Sequence, residues 1–516
     1  MGGIIYYMSK GVLLTVGITA HNEGVIAHKT MLSVFEALKN VKKAGYSYEI
    51  IVHIDNGDAE TIKYFERYRK DKNIKIIQNK FGDAGKSRNC LAQESIGEFM
   101  SFLDADDLIS SNWFIEALRL LKKASSEVIV HPEANLTFGN GGHILWVQRG
   151  DADKNLEILC GANRWISVCM AKRSIFLETP YPVTKNGYGH EDWWFNTETV
   201  AKGVKHVVAK NTVEFYRRKK NSLLLLNNGK NNIQWYSELF DVKKCQTLFK
   251  NHNVEPSSII KKKRKAYLIY KKIRNSKANV FITPIARPIR RMLDFAQNLG
   301  RPVDSKMNNI PEFVFDSWKE ITEIEPQLYP TKQALNSVGR YYSDEDFVVG
   351  EAYLKAIKKV KKMPNYVFIV PWLVAGGADK VALNYIKALS ELHSDWSFAV
   401  ITTLPSKNTW EDKLPENAYI VDFGNNSELL NEYEKDILFS RILTQLRCER
   451  IHLINSEYGY RWIADHKELI AKNYNLNVSV FCHDYIPETN NEAVFDYMDP
   501  FLVSIYDVVD NIFTDN

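Results

Sequence analysis

Residues 99–107 read Phe-Met-Ser-Phe-Leu-Asp-Ala-Asp-Asp, and the fold is decided by how that stretch is taken. An apolar run ends abruptly in three carboxylates, Asp104, Asp106 and Asp107. This is the pattern of a buried strand entering a loop. Alternate residues of an extended segment share a side, so Asp104 and Asp106 address one ligand. Hard oxygen donors of this kind suit Mg²⁺ or Mn²⁺, ions that bridge nucleotide phosphates. The competing reading is an acidic turn that caps a helix over Trp113–Leu121, with Asp107 or Ser110 as the N-cap.

Working outward, strand and helix alternate. Leu13–Ala20 is a short apolar strand ending at His21-Asn22-Glu23-Gly24, and Met31, Val34, Phe35 and Leu38 then recur at helical spacing. Tyr48–Ile54 is a second strand, running into Asp55-Asn56-Gly57-Asp58; Ala59–Tyr68 is helical and Ile74–Gln78 a third strand. Gly82–Asn89 opens a further helix just before the strand that carries Asp104. Such alternation predicts a parallel sheet that binds ligands at the carboxyl ends of its strands, where Asn22, Asp55, Arg88 and Asp104 all fall.

Taken in order, these motifs resemble those of family-2 glycosyltransferases of GT-A fold, over roughly residues 10–225. The matching features are Thr19-Ala20-His21-Asn22-Glu23 at the first strand, Asp55 at the second, Gly85-Lys86-Ser87-Arg88-Asn89 at a helix start, Asp104–Asp106, and His190-Glu191-Asp192-Trp193-Trp194. Thr-Ala-His-Asn stands where the family usually carries Pro-x-Tyr-Asn. The resemblance implies a nucleotide-diphosphate sugar as donor, a UDP-sugar foremost. It implies that Asn22, Glu23, Asp55, Arg88, Asp104 and Arg217 hold that donor, with Asp55 reading the base. Asp104 and Asp106 are then the ligands of Mn²⁺ or Mg²⁺. Asp192 is the general base that takes the acceptor hydroxyl proton, Glu191 orients it or the acceptor, and one displacement inverts the anomeric centre. The alternative for Glu191-Asp192 is the start of a helix, Trp193–Ala201, whose aromatics are core. Arg217 has an alternative too, a solvated basic turn within Tyr216–Ser222. His131, His190 and His206 are possible further ligands and are not assigned. Recognition of the donor hydroxyls is expected around Pro132–Trp146 and Asn163–Ser167.

Composition agrees with a large globular protein: 516 residues, 45% hydrophobic and 25% charged. The six cysteines have neither metal nor disulfide spacing, no apolar run reaches a membrane span, and Met1–Met8 lacks a signal-peptide pattern. These features predict a cytoplasmic protein. From Lys261 to Arg291 there are twelve Lys and Arg residues and no acid, interleaved with Tyr267, Ile269 and Tyr270. Such a stretch fits peripheral contact with an anionic inner membrane face, where lipid-linked glycan acceptors reside; a solvated linker is the alternative. No nucleic-acid motif accompanies the charge.

Three segments follow: a GT-A domain over 10–235, a helical basic connector over 236–362, and a second αβ unit over 363–516. In the last, Val367–Leu373 is a strand and Ala375-Gly376-Gly377-Ala378-Asp379 a tight turn into a helix. That turn resembles the acceptor-side loop of family-4 glycosyltransferases of GT-B fold, which implies the N-terminal, Rossmann-like half of such a domain, cut short at Asn516. This unit is expected to fold without transferase activity, and deleting 360–516 to leave the first domain active. The expected function is metal-dependent, inverting sugar transfer to a glycan or lipid-linked glycan in surface polysaccharide biosynthesis. A nucleotidyltransferase and a non-catalytic glycan-binding adaptor stay open as alternatives.

Overall fold

The computed structural model describes residues 11–140, 142–150, 158–219, 231–248, 310–336, 338–342, 348–480, 486–487, 493–494 and 498–514. The basic stretch Lys261–Arg291 lies outside the described residues. Among the described residues, no helix is long and apolar enough to cross a membrane.

The first sheet is built on β1 (Leu14–Ala20), β2 (Tyr48–Asp55), β3 (Ile74–Asn79) and β4 (Phe99–Asp104), all parallel in the order β4-β1-β2-β3. Their apolar runs are buried on both faces because helices cover both, which parallel strands require. Helix Ala27–Lys43 presents Met31, Val34, Leu38 and Val41 to one face, and helix Ala84–Glu94 presents Leu91 to the other. Beyond β4 come β5 (Leu108–Ile109), β6 (Val128–Gly139), β7 (Ile144–Val147), β8 (Met170–Lys172) and β9 (Lys205–Arg218). β8 runs antiparallel between β4 and β6, and β9 runs parallel to β6. The sequence predicts two strands, Val204–Val208 and Thr212–Phe215, where β9 is one: Asn211 takes a left-handed φ of 61° opposite a register shift at Pro132/Ala134, so the strand bends without ending. Most of Pro132–Trp146, expected to recognise the donor, is itself sheet.

The segment expected to be a connector divides between the two units. Helix Glu312–Thr322 buries Val314, Trp318 and Ile321 against Leu136, Phe138 and Phe215. Strand β10 (Gly339–Tyr342) then adds to the sheet edge, parallel to β7. Val242 and Val348–Ala356, by contrast, pack into the C-terminal core.

The second sheet is wholly parallel. It comprises β11 (Tyr366–Val370), β12 (Phe398–Thr402), β13 (Ala418–Asp422), β14 (Arg450–Ile454), β15 (Asn475–Val480) and β18 (Asn511–Thr514), ordered β13-β12-β11-β14-β15-β18. A two-residue hairpin, β16 (Ile486–Pro487) and β17 (Ala493–Val494), stands apart. Alternation sends Val367 and Ile369 into one core layer and Tyr366 and Phe368 into the other.

The two units share a core. Leu159, Cys160 and Trp165 of the first pack in the same cluster as Val349, Leu438 and Ile442 of the second. Asn473 Nδ2 donates to Asn186 O at 2.9 Å, and Asn231 Nδ2 to Asp465 O at 3.1 Å. At Gly187 φ is +80°, and a Cβ there would lie 2.6–2.7 Å from Leu469, so only glycine fits.

Candidate active site

The parallel register places Thr19 beside Asp104 at the carboxyl ends of β1 and β4, and the Thr19 hydroxyl donates to Asp104 Oδ1. Ala105 N donates to Thr19 O at 2.8 Å and Asp107 N to Asp104 O at 3.1 Å, closing the acidic turn. From behind, Thr30 Oγ1 donates to Ala105 O at 2.8 Å.

Across from this turn the chain enters helix Glu191–Ala201 through His190, which adopts a left-handed φ of 66°. For a non-glycine residue that conformation costs about 1–2 kcal/mol. It puts two carboxylates, Glu191 and Asp192, in the first helical turn, where exposed N–H groups favour negative charge. Arg88 joins the two halves. Its guanidinium is buried, 2.8 Å from Glu191 Oε1 and 3.5 Å from Asp104 Oδ1, and lies over the Tyr181 ring. Burial works against its charge, but Asp104 and Glu191 outweigh that and raise its pKa. Removing such a cation strands two carboxylates, at a cost of roughly 3–5 kcal/mol.

The acids are crowded. Burial, with Glu191 beside it, pushes Asp192 up to about 6, against the opposing pull of Arg88. Its Oδ2 accepts from Asn163 Nδ2 at 2.9 Å and its Oδ1 from Trp193 N at 2.8 Å, which fixes the carboxylate. Asp106 is also pushed up to about 6 by burial, with Asp104 adding to the rise and Lys219 opposing it. Asp107 is driven well above the carboxylate range by burial, then by Asp106. Glu214, wholly buried on β9, is pushed up to about 8 by burial, although Asn135 donates to it at 2.8 Å.

The two carboxylates of the turn are hard oxygen donors suited to a small divalent cation. Among the described residues no group of three His, Cys, Asp or Glu is set to hold a metal. A cation does sit there: Lys219 Nζ is 2.8 Å from Asp106 Oδ2 and 3.2 Å from Glu23 Oε1. Burial opposes its charge, while Asp106 and Glu23 raise its pKa.

Thus Arg88 joins Asp104 to Glu191, Lys219 joins Asp106 to Glu23, and Asp192 follows Glu191 in the same helical turn. Asn22 stands at the rim, its Oδ1 accepting from Asp58 N at 2.8 Å. Asp55, expected to read the base, is buried and its oxygens accept from the backbone of Phe81, Gly82 and Asp83 at 2.6–3.0 Å, which shapes the loop ahead of helix Ala84–Glu94. Arg217, expected to meet the diphosphate, is buried with its guanidinium 2.6 Å from Glu325 Oε2. Its burial rules out the solvated-turn alternative. His131 and His206 are core residues stacked with Trp165 and joined at 2.9 Å, and burial lowers both pKa values. Trp193 and Trp194 donate to Leu159 O and Tyr236 O, each at 2.8 Å, and serve packing. Sequence reasoning missed Thr19, Asn163 as a partner of Asp192, Lys219 and Glu325. Thr19, Asn163 and Lys219 lie in segments the sequence singles out, but their pairing is not readable there, and Glu325 has no signal.

Residues 15–169 match the model of glycosyl transferase family 2, so the first unit carries a glycosyltransferase domain of that family. Two curated relatives are poly(ribitol-phosphate) beta-N-acetylglucosaminyltransferases of Staphylococcus aureus. TarS is 28% identical over 100 residues, 18% of this chain and 18% of its own length. TarP is 28% identical over 109 residues, 21% of this chain and 33% of its own. The chain therefore spans under a fifth of TarS and a third of TarP in these matches. Among solved structures, S. aureus TarS 1-349 in complex with UDP-GlcNAc aligns over 67% of this chain and 92% of that one, at 14% identity and a TM-score of 0.35. GalNAc-T7 with UDP, GalNAc and Mn²⁺ aligns over 47% and 52%, at 16% identity and a TM-score of 0.33.

Proposed function

We propose that the N-terminal unit transfers a sugar, with inversion, from a nucleotide-diphosphate sugar to a glycan or lipid-linked glycan of a surface polysaccharide. A UDP-sugar is the foremost donor. The observation that carries this reading is the Arg88 bridge, which faces the Asp104–Asp106 turn and the Glu191-Asp192 pair towards one another. A leaving diphosphate and an attacking hydroxyl need those two groups on opposite sides of one sugar carbon.

Asp192 is the base. With its pKa near 6 it is largely ionised at neutral pH and basic enough to take the acceptor proton as the hydroxyl attacks. The new carbon–oxygen bond forms on the face opposite the breaking one, and the diphosphate leaves with the electron pair. Asn163 and the Trp193 amide hold Asp192 in place; Arg88 holds Glu191 and keeps the two carboxylates from repelling each other. Asp104 and Asp106 would hold Mn²⁺ or Mg²⁺, which when bound neutralises charge on the diphosphate. Glu23, Asn22 and the loop shaped by Asp55 form the rim on the nucleotide side.

A second reading concerns the C-terminal unit, which we take as a non-catalytic glycan-holding module resembling half of a GT-B domain. A cavity of about 410 Å³ opens where β11 and β14 adjoin, lined by Trp372, Asp379, Asn455, Tyr458 and Arg461. Aromatic faces and polar groups of both signs suit a polyhydroxylated ring.

The test is a panel of nucleotide sugars with Mn²⁺, scored for release of the nucleotide diphosphate. One donor should stand out, and Asp106→Ala should abolish its turnover; uniform inactivity across the panel, or full activity in that variant at saturating Mn²⁺, would count against the reading.

A further inference from the structure

We infer that Glu325, far outside the stretch matched by the family model, is a positioning residue for the acidic turn and acts on it through Arg217. The inference rests on the reading of Asp104 and Asp106 as metal ligands and adds a residue to that site. Glu325 precedes the short turn Pro326–Leu328 and is buried. Its Oε2 lies 2.6 Å from the Arg217 guanidinium, which also reaches Gln327 Oε1 at 3.4 Å and covers the face of Phe138 at 4.5 Å. Arg217 in turn grips the acidic turn twice. Its Nε donates to Asp106 O at 3.0 Å, and its backbone N donates to Asp107 Oδ1 at 2.7 Å.

The chain of contacts is short and directional. Asp106 is held by its own carbonyl, so anything that reorients Arg217 moves the residue whose carboxylate faces Lys219. A guanidinium has five donors in a fixed plane, and occupying one edge with a buried carboxylate fixes where the other edge points. Without Glu325 that edge of the guanidinium would lose its fixed partner, and the Asp106 carbonyl held by the other edge would shift with it. Lys29 Nζ, donating to Ile324 O at 2.6 Å, ties the same segment to the helix that backs the turn through Thr30. Partners that orient metal ligands in this way typically change affinity 10–100-fold when removed.

The experiment uses the full chain and measures Mn²⁺ binding directly, by the loss of the free Mn²⁺ electron-paramagnetic-resonance signal, together with the melting temperature. Variants are Glu325→Gln, Arg217→Gln, the double variant, Asp106→Ala, and Asp316→Asn as an exposed control on the preceding helix. The expected result is a Mn²⁺ dissociation constant about tenfold higher in Glu325→Gln, unchanged in Asp316→Asn, and no higher in the double variant than in Arg217→Gln. Wild-type affinity in folded Glu325→Gln overturns the inference alone. So does a double variant that binds more weakly than Arg217→Gln, since Glu325 would then act by another route. If the wild-type chain binds no Mn²⁺, or Asp106→Ala binds it equally well, the metal reading falls and takes this inference with it. Should Glu325→Gln fail to fold, Glu325→Asp, which keeps the charge but shortens its reach, is read by the same criteria.

Discussion

The carboxyl edges of the two sheets differ in what they do with charge. At the first, Glu23, Asp104, Asp106 and Glu191 pair with two cations, Arg88 and Lys219, and burial drives Asp106, Asp107, Asp192 and Glu214 upward. At the second, Glu457 of the cavity lining pairs with Arg461 at 3.7 Å with both side chains half exposed, and burial raises the pKa of Asp379. Desolvated like charges oppose folding, so a fold keeps them where chemistry needs them. The second edge offers shape and mixed polarity with little electrostatic strain. One edge concentrates desolvated charge, and the other does not.

Asp192→Asn breaks this contrast most directly. It keeps size and hydrogen bonding but cannot accept a proton, and turnover should fall at least ~10²-fold with donor affinity little changed. Asp379→Asn at the other edge should raise KM for a polymeric acceptor and leave kcat alone. Steady-state kinetics on both variants decides, and equal losses of kcat would erase the distinction between the edges.

The next effect is on the pH profile. Both Asp192 and Asp106 are raised to about 6, so kcat/KM should fall tenfold per unit once the pH drops below about 6 if one proton controls the reaction. A steeper limb at low Mn²⁺ that flattens at high Mn²⁺ would assign the second proton to Asp106.

Lys219→Ala removes the ammonium from the acidic turn. Apparent Mn²⁺ affinity should rise several-fold, measured by titration without substrate, because the metal no longer displaces an ion pair. An unchanged affinity would mean that Lys219 is easily set aside.

The smallest effect concerns stability. The pKa of Glu214 is raised in the folded state, so the stability it contributes is present below its unfolded value near 4.5 and lost as the pH rises through about 8. The melting temperature of Glu214→Gln relative to wild type should therefore climb between those values and level off above, by on the order of several degrees. A flat difference across that range would show that Glu214 is not strained at neutral pH.

The parts of this site visible in the sequence are those that local chain geometry dictates. Asp104 and Asp106 are legible because a buried strand must end where its apolar run ends. Glu191 and Asp192 are marked by the family resemblance; local pattern alone says only that a helix starts beside them. What Arg88 and Arg217 pair with is not legible, since their partners come from helix starts and turns that only tertiary packing brings near. Both arginines fitted a phosphate role by charge and position, yet the structure directs Arg217 to Glu325, which no local pattern marks. Residues 310–342 read as a connector because their helical spacing says that a face is buried but not against what; the buried partner is β6 and β9 of the first sheet.

Strand β10 has a consequence for how this protein is made. It completes the first sheet by pairing with β7, yet it is translated nearly two hundred residues after it. At the ordinary pace of a ribosome that interval is on the order of ten to forty seconds, during which the β7 edge emerges without its neighbour. An uncapped edge of this kind is open to pairing with another nascent chain. Expression yield should thus depend on elongation speed and chaperone supply, and ribosome pausing between codons 150 and 340 should prolong the hazard.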